Sequence, residues 1–600
     1  MRIYLAGNEL MTENNAQPIL NQRWRVQPKI PHDIDLALRD FPPLLRQLLY
    51  NRGYFNAESA SSFVNGEAPF SSDPLQIKDM QAAVERLHRA VTAGEKIAIY
   101  GDYDADGVTA CTLMHDFLVS LGVNPEIYIP NRYDEGYGLN ADAIQALADM
   151  GINLVITVDC GIRSNREVAQ AHNLGMDVII TDHHQPGTEL PPALAVINPK
   201  QPEDHYPEKD LSGVGLAHKL TQAYLEIHPQ QGVNPEAWLD LVAIGTVADL
   251  VPLKGENRAL VKKGLACIRQ QRRPGLRALA GAAEIDLTQC DTSMIGFKLA
   301  PRLNAAGRME SAMLAYELLV TQDQQKAGEL AQILDSQNKE RQVETNWIRE
   351  QAAAQVLAQD PGALLFFAAD PKFSEGVVGL AASRLTETYY RPAIIAHQGE
   401  EFTVASCRSI PEFHITRALD ECADLLVRHG GHAAAAGFTV SNVNLPILIE
   451  QLYAIAQREL ADVTLLPVID IDREIILENL SPYYIGGIFN DLHQLEPTGR
   501  GNPDPVFMSR DLVVRQVRTV GRDSRHLKLT LQAGQYIYDA IAFQQGHWVD
   551  ELPERIDIVY RFEENTYKGR VNLQLNVKDI RPSESQGEPD SPAENRSTSE

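Results

Sequence analysis

Cysteine is scarce in this chain, six in 600 residues and none in a Cys-x-x-Cys pair. The opening Met1-Arg2-Ile3-Tyr4 passes quickly into polar sequence with no signal-like stretch. Together these absences predict a reduced, cytoplasmic protein. Long apolar runs are missing too: none approaches the roughly 18 residues that a membrane-spanning helix needs, so no membrane insertion is expected. Positive charge is in deficit, with 54 Lys and Arg against 80 Asp and Glu and a formal net charge of -26. That balance speaks against a nucleic-acid partner, because phosphate binders gain affinity from excess cations. Net charge is a weak guide here. Part of the acidity sits in a tail from Ser583 onward that has no apolar residues to bury, and more sits in motifs that divalent cations can neutralise. A catalyst working on a polyanion through acidic metal sites needs only a locally basic track. No regular internal repeat is present.

What is there divides into segments. With 600 residues and 44% hydrophobic content the chain suits two or three separately cored domains. Residues 1–80 form an N-terminal extension of short helical patterns and Pro-rich joins. From Lys96, β-branched runs such as Ile97 to Tyr100, Leu154 to Val158, Val178 to Thr181 and Ala195 to Ile197 alternate with amphipathic helices. That rhythm predicts an α/β fold with a doubly wound, mostly parallel sheet over residues 81–310. Within a connecting segment, 311–360, the Pro-free stretch from Asp323 to Gln359 places Ala327, Leu330, Ile333 and Leu334 on one face, predicting a long helix. A smaller α/β domain is expected over 361–462. Beyond Pro503, short alternating segments beginning near Leu512, His526, Tyr536, Ile556 and Val571 predict a small OB-like β-barrel within 463–580, followed by a disordered acidic tail, 581–600.

The chemistry gathers at strand ends. Asp102, Asp104 and Asp106 crowd the turn between the strand ending at Tyr100 and a helix beginning near Val108. One Asp there reads as a helix cap. Three at alternate positions repel one another and call for a cation, and hard oxygen ligands suit Mg2+ or Mn2+. The next two strands end in Asp159 and in Asp182-His183-His184. Alone, the latter is as readily a cap with two surface imidazoles as a metal site. In an open α/β sheet, however, ligands gather at the carboxyl ends of the strands, so these groups are expected to converge; Asp249, which closes the apolar run from Leu239 to Ala248 and alone reads equally as a surface helix terminus, is expected in that context to join them. Cys160 reads as packing, since a thiolate is a poor ligand for magnesium.

These residues resemble the DHH phosphoesterase family, whose name describes Asp182-His183-His184. The likeness extends through Gly245 to Asp249, Pro301 to Arg308, Ser406 to Ser409 and Gly430 to Gly437, spanning about residues 96 to 440. The resemblance implies a catalytic DHH domain, a long helix, a DHHA1 domain and an OB fold with substrate entering between the lobes. It implies Asp104, Asp106, Asp159, His183 and Asp249 as metal ligands, with Asp102 nearby and His184 on the scissile phosphate. Small relatives carry a His four residues before the first Asp of the Asp-x-Asp pair; here Tyr100 stands there, and Asp102 is a partial substitute.

The resemblance further implies a metal-dependent exonuclease that digests single-stranded DNA from the 5′ end to 5′-mononucleotides in recombination and repair. Arg132, Arg302, Asn304, Arg308, Ser406, Arg408 and Ser409 would grip substrate, each Arg being equally readable as an ion-pair residue. Ser406 and Arg408 would hold a terminal 5′ phosphate. Gly430 and Gly431 would allow backbone to approach phosphate at a helix start, and His432 would reach the scissile region, unless the stretch is only a tight turn into a small-residue packing helix. In the barrel, Arg515, Arg518, Arg522, Arg525, His526 and Lys528 with Tyr536 and Tyr538 suit a single strand, or an ordinary solvated face. Expected partners are single-stranded DNA, a single-strand-binding protein and a DNA helicase, with the enzyme a monomer. Two other readings stand beside this one: a phosphodiesterase acting on short RNA or cyclic dinucleotides, and a noncatalytic replication scaffold. The long extension and OB-like region favour a polymer track over the first, and the intact acidic and imidazole set disfavours the second.

Overall fold

The structure, a computed structural model, describes residues 22–68, 72–131, 135–136, 138–482, 485–567 and 570–583. Arg132 lies outside them. The chain forms two compact units, one built from 62–466 with 497–503, the other from 22–61, 467–496 and 504–583.

In the larger unit the first sheet runs Glu126–Tyr128, Ile97–Gly101, Leu154–Val158, Asp177–Thr181, Ala195–Ile197, and every neighbouring pair is parallel. The strands Ile97–Gly101 and Leu154–Val158 are buried at every position. Their continuous apolar runs fit a sheet covered on both faces. One face packs the helices Ala105–Ser120 and Gly213–Ile227, the other Ala141–Asp149 and Asn165–Asn173. The first strand in sequence lies between the second and the third, so the winding direction reverses between Ile97–Gly101 and Leu154–Val158. A crevice opens at such a reversal, beyond the carboxyl ends of the strands.

The helix Gln324–Gln359 serves two cores. Ala327, Leu330 and Leu334 join the cluster of the first sheet, and Ile348, Ala352 and Val356 join that of the second. Ile333, expected on the apolar face, is 42% exposed; standing one residue before Leu334, it lies about 100° around the helix from it. The second sheet runs Leu426–His432, Ala435–Ser441, Phe402–Arg408, Ala393–Gln398, Phe366–Asp370, with only the last pair parallel. Gly430, Gly431 and His432 therefore end a strand of a hairpin instead of starting a helix. The Ala-rich stretch after them pairs as a strand, because its neighbour Phe402–Arg408 offers an unpaired edge.

In the second unit the strands Phe507–Val520, His526–Ala533, Tyr536–Ala542, Arg570–Pro582 and Arg555–Tyr567 pair in that order, and the first also pairs with the last, closing a barrel. The N-terminal strand Arg23–Val26 pairs in parallel with Val468–Ile471, and Trp24 donates its indole N–H to Asp579. Tyr538, expected as an aromatic platform, is buried and donates its hydroxyl to the Leu477 carbonyl. Alternation along its strand turns it into the barrel core, while its neighbour Ile537 is exposed.

Candidate metal centre

The switch-point crevice receives the side chains that follow both reversing strands. Asp102 and Asp104 follow Ile97–Gly101, and Asp159 follows Leu154–Val158 with φ at 61°. A non-glycine residue in the left-handed region is strained, and such strain concentrates at functional sites. Asp104 is the N-cap of Ala105–Ser120, its Oδ1 accepting from the backbone N–H of Asp106 at 2.9 Å and of Gly107 at 3.1 Å. Capping and clustering are thus both true of Asp104. Gly107 is required: a Cβ there would stand 2.5 Å from the Asp102 carbonyl oxygen.

Asp182, His183 and His184 follow the strand Asp177–Thr181, and Asp249 caps the C-terminus of Leu239–Ala248. The His183 Nε2 lies 3.2 Å from Asp159 Oδ1 and 3.5 Å from Asp249 Oδ2. Three groups of ligand atoms each fall within 4.8 Å of one another: Asp159, His183 and His184; Asp106, His183 and Asp249; Asp102, Asp104 and Asp159. All the carboxylates and the imidazole predicted to bind metal therefore converge.

Electrostatics state what is required. Asp106 is 1% exposed, Asp159 2% and Asp102 4%. Burial, then the charges of Asp249 and Asp104, pushes Asp106 well above the usual carboxylate range; burial, then Asp106 and Asp104, does the same to Asp159. Burial and Asp104 raise Asp249 to about 7. His183 is held down to about 3 by burial and by His184, so its ring is neutral at pH 7 and faces two carboxylates. Buried anions around a neutral imidazole are stabilised by a cation. The donor set of carboxylate oxygens and one or two imidazoles fits Mg2+ or Mn2+.

His184 differs. Although burial opposes its charged form, a 2.8 Å contact from Nδ1 to Asp182 Oδ1 and the charge of Asp182 raise it to about 9. Its side chain is 41% exposed. It is a cationic donor at the crevice mouth, oriented by Asp182. Tyr100 points the other way: its hydroxyl donates to the Gly138 carbonyl at 3.1 Å within the core of the opposite sheet face. Asp102, not Tyr100, joins the cluster.

Sequence reasoning missed the turn Ser212-Gly213-Val214. The backbone N–H groups of Gly213 and Val214 donate to Asp106 Oδ2 and Oδ1 at 2.7 and 3.0 Å. A Cβ on Gly213 would stand 2.5 Å from Asp159 Oδ1. A Ser N-cap followed by glycines at 213 and 215 was a legible helix start, but its meeting with Asp106 joins residues 107 positions apart.

The expected substrate groups divide. Asn304 Oδ1 accepts from the Ala105 N–H at 2.7 Å, bracing the metal turn from the helix Ala300–Met309. From that helix's last turn Arg308 donates to the Gly376 carbonyl at 3.1 Å. Gly376 lies in the helix Glu375–Tyr389, where an added Cβ on Gly379 would lie 3.2 Å from Arg408 Nη2 and 3.4 Å from Ser406 Oγ. The register aligns Arg408 with Ala435 and Ala435 with His432, and likewise Ser406 with Gly437 and Gly437 with Gly430. Directly paired residues point to one face, so Arg408 and His432 share a face two strands apart, about 10 Å. Gly431 has φ at 149°, and a Cβ there would stand 2.4 Å from the Ala435 carbonyl oxygen. Two expected groups are engaged elsewhere. The Arg302 guanidinium pairs with Asp335 at 2.8 Å and donates to the Lys298 carbonyl at 2.7 Å. Ser409 donates its hydroxyl to the Phe413 carbonyl at 2.7 Å.

Residues 96–246 match the DHH family N-terminal domain, 360–462 the DHHA1 domain and 471–579 the RecJ OB domain. The chain is similar to the single-stranded-DNA-specific exonuclease RecJ of Bacillus subtilis strain 168, 39% identical over 546 residues that cover 90% of this chain and 68% of the relative. It is similar to the protein of the same name from Escherichia coli strain K12, 35% identical over 90% of this chain and 96% of the relative. Among solved structures it resembles RecJ in complex with Mn2+ from Thermus thermophilus, with TM-score 0.80 and 30% identity, covering 94% of this chain and 80% of that one.

Proposed function

Because the chain belongs to the RecJ family of single-stranded-DNA-specific exonucleases, we propose that it hydrolyses single-stranded DNA from the 5′ end to 5′-mononucleotides, serving recombination and repair. The observation that carries this reading is the convergence of Asp102, Asp104, Asp106, Asp159, His183 and Asp249 at one switch-point crevice. When bound there, one or two Mg2+ or Mn2+ ions lower the pKa of bound water and offset charge on the transferring phosphoryl group. The protein's own groups do the rest. Asp104 and Asp106 are held by backbone N–H groups, so the ligand cage is assembled before substrate arrives. His184, protonated near neutral pH and oriented by Asp182, donates to a non-bridging phosphate oxygen. No covalent enzyme intermediate is needed.

Arg408 and Ser406, with Arg308 beside the same helix, form a cationic and hydroxyl-bearing seat suited to a terminal phosphate, which is the physical basis for 5′ polarity. His432, on the Arg408 face, would reach the scissile region of a bound strand. The six cysteines are all unpaired and no described helix is long and apolar enough to cross a membrane; the unpaired thiols are in keeping with a reduced cytoplasmic setting. Asp159→Ala tests the reading: turnover on labelled single-stranded DNA with Mg2+ or Mn2+ should collapse by at least about a hundredfold while strand affinity is kept. Wild-type turnover in that variant would remove the site assignment. Arg408→Ala should erase the preference for phosphorylated over unphosphorylated 5′ ends.

A further inference from the structure

Beside the polar metal crevice stand two exposed apolar side chains that the core does not need. Phe297 is 77% exposed and Leu250, the residue after Asp249, is 62% exposed. Phe297 sits in a π-helical turn, Ile295–Leu299, whose buried Ile295 and Leu299 already anchor it. Such turns are rare and concentrate at functional sites. Leu250 adopts φ of 59°, a conformation costly for a side-chain-bearing residue.

A third element meets them. The segment 497–503, distant in sequence, belongs to the same unit. Thr292 donates its hydroxyl to the Thr498 carbonyl at 2.7 Å, Arg500 donates from Nη1 to the Leu250 carbonyl at 3.0 Å, and the Leu253 N–H donates to the Arg500 carbonyl at 2.7 Å. Gly499 allows this approach, since a Cβ there would stand 2.8 Å from Leu253 Cδ1. Gly296 lies against Val247, 3.9 Å from an added Cβ to Cγ1. The Phe297 turn, the Asp249 loop and the Arg500 turn are therefore laced together at one rim of the crevice. The carbonyl that Arg500 meets belongs to the residue directly after Asp249, which sets this cation beside the metal cluster. Arg500 has further N–H donors beyond the one given to Leu250.

We infer that the rim formed by Leu250, Phe297 and Arg500 seats one nucleotide of the strand, the Phe297 ring stacking its base and Arg500 taking an adjoining phosphate. This rests on the nuclease reading above. An exposed aromatic beside a cation is the combination that holds unpaired bases. Because a base within a duplex has both faces covered by its neighbours, the platform also favours single strands over double.

The test uses the full chain with Mg2+ and 5′-phosphorylated oligothymidylate carrying one abasic residue, moved stepwise from the 5′ end. For the wild type, one position near the 5′ end should raise KM about tenfold when its base is removed. Phe297→Ala should raise KM by a similar factor on the intact strand and flatten the positional profile, while Phe297→Trp should preserve it. Arg500→Ala should reduce the log–log salt slope of binding by about 0.7, one phosphate on a single strand, with Arg500→Lys keeping it. Phe297→Ala with the wild-type profile and KM would overturn base stacking and leave the apolar pair as a contact for protein. An unchanged salt slope in Arg500→Ala would overturn the phosphate contact. A wild type that leaves every strand intact would overturn the nuclease reading and this inference with it, an outcome distinct from either variant result.

Discussion

His184 and Asp249 at the crevice are tuned by their surroundings, and two pH effects follow. Against burial, the hydrogen bond to Asp182 and the charge of that group hold His184 up to about 9. Below about 9 it carries the proton that makes it a donor; above, that donor is lost. Turnover should therefore fall as pH climbs through about 9. Asp182→Asn should bring that alkaline limb down by roughly one unit or more, measured as kcat against pH. Asp249 shifts the opposite way from a salt-bridged carboxylate: folded, it is raised to about 7 by burial and Asp104. A raised folded pKa means that the metal-free native state holds a proton the unfolded chain has already released. Stability is fully present below the ordinary carboxylate range and is lost as pH rises through about 7. Melting of the chelated protein should show a lower Tm at about pH 8 than at about pH 5.5. Added Mn2+ should raise Tm far more at about pH 8, since the ion replaces those protons. A chelated protein equally stable at both values would contradict the assignment of a charge-loaded, cation-dependent site.

Elements rather than single side chains explain why some sequence expectations held and others moved. The parallel strands were legible because continuous apolar runs bounded by Asp and Gly can hardly be anything else in an alternating α/β pattern. The hairpin carrying Gly430 to His432 was not: the alanines from Ala433 to Ala436 read as helix, and only the edge of Phe402–Arg408 makes a strand of the stretch from Ala435 onward. Arg302 shows the same limit. In the sequence it stands in one motif with Asn304 and Arg308; in the fold its side chain meets Asp335 on the long helix, and both are largely buried. Arg302→Ala should therefore destabilise the protein by about 1.5 kcal/mol, the loss of a charge-assisted hydrogen bond, since Asp335 keeps Lys339 at 2.6 Å, read from urea unfolding. Full stability with a raised KM would return Arg302 to the substrate.

At the scale of the whole molecule, the proposed division of labour gives chemistry to one unit and strand holding to the other. Arg518 pairs directly across from Lys528 on adjoining barrel strands. Replacing both with Ala should raise KM severalfold on long strands and lower the salt slope by about 1.4, two phosphates, while trinucleotide hydrolysis stays near wild type. Equal losses on long and short substrates would contradict that division. The sequence by itself determined the sheet, the acidic strand ends, the long helix and the barrel, because local periodicity and turn chemistry are written in neighbouring residues. The tertiary structure alone decided that Gly213 and Val214 hold Asp106, that Asn304 braces Ala105 and that Arg500 reaches the Asp249 loop. Those contacts join positions more than a hundred residues apart, and no local pattern records which distant segment a chain end, a glycine or a cation will meet once the apolar faces have packed.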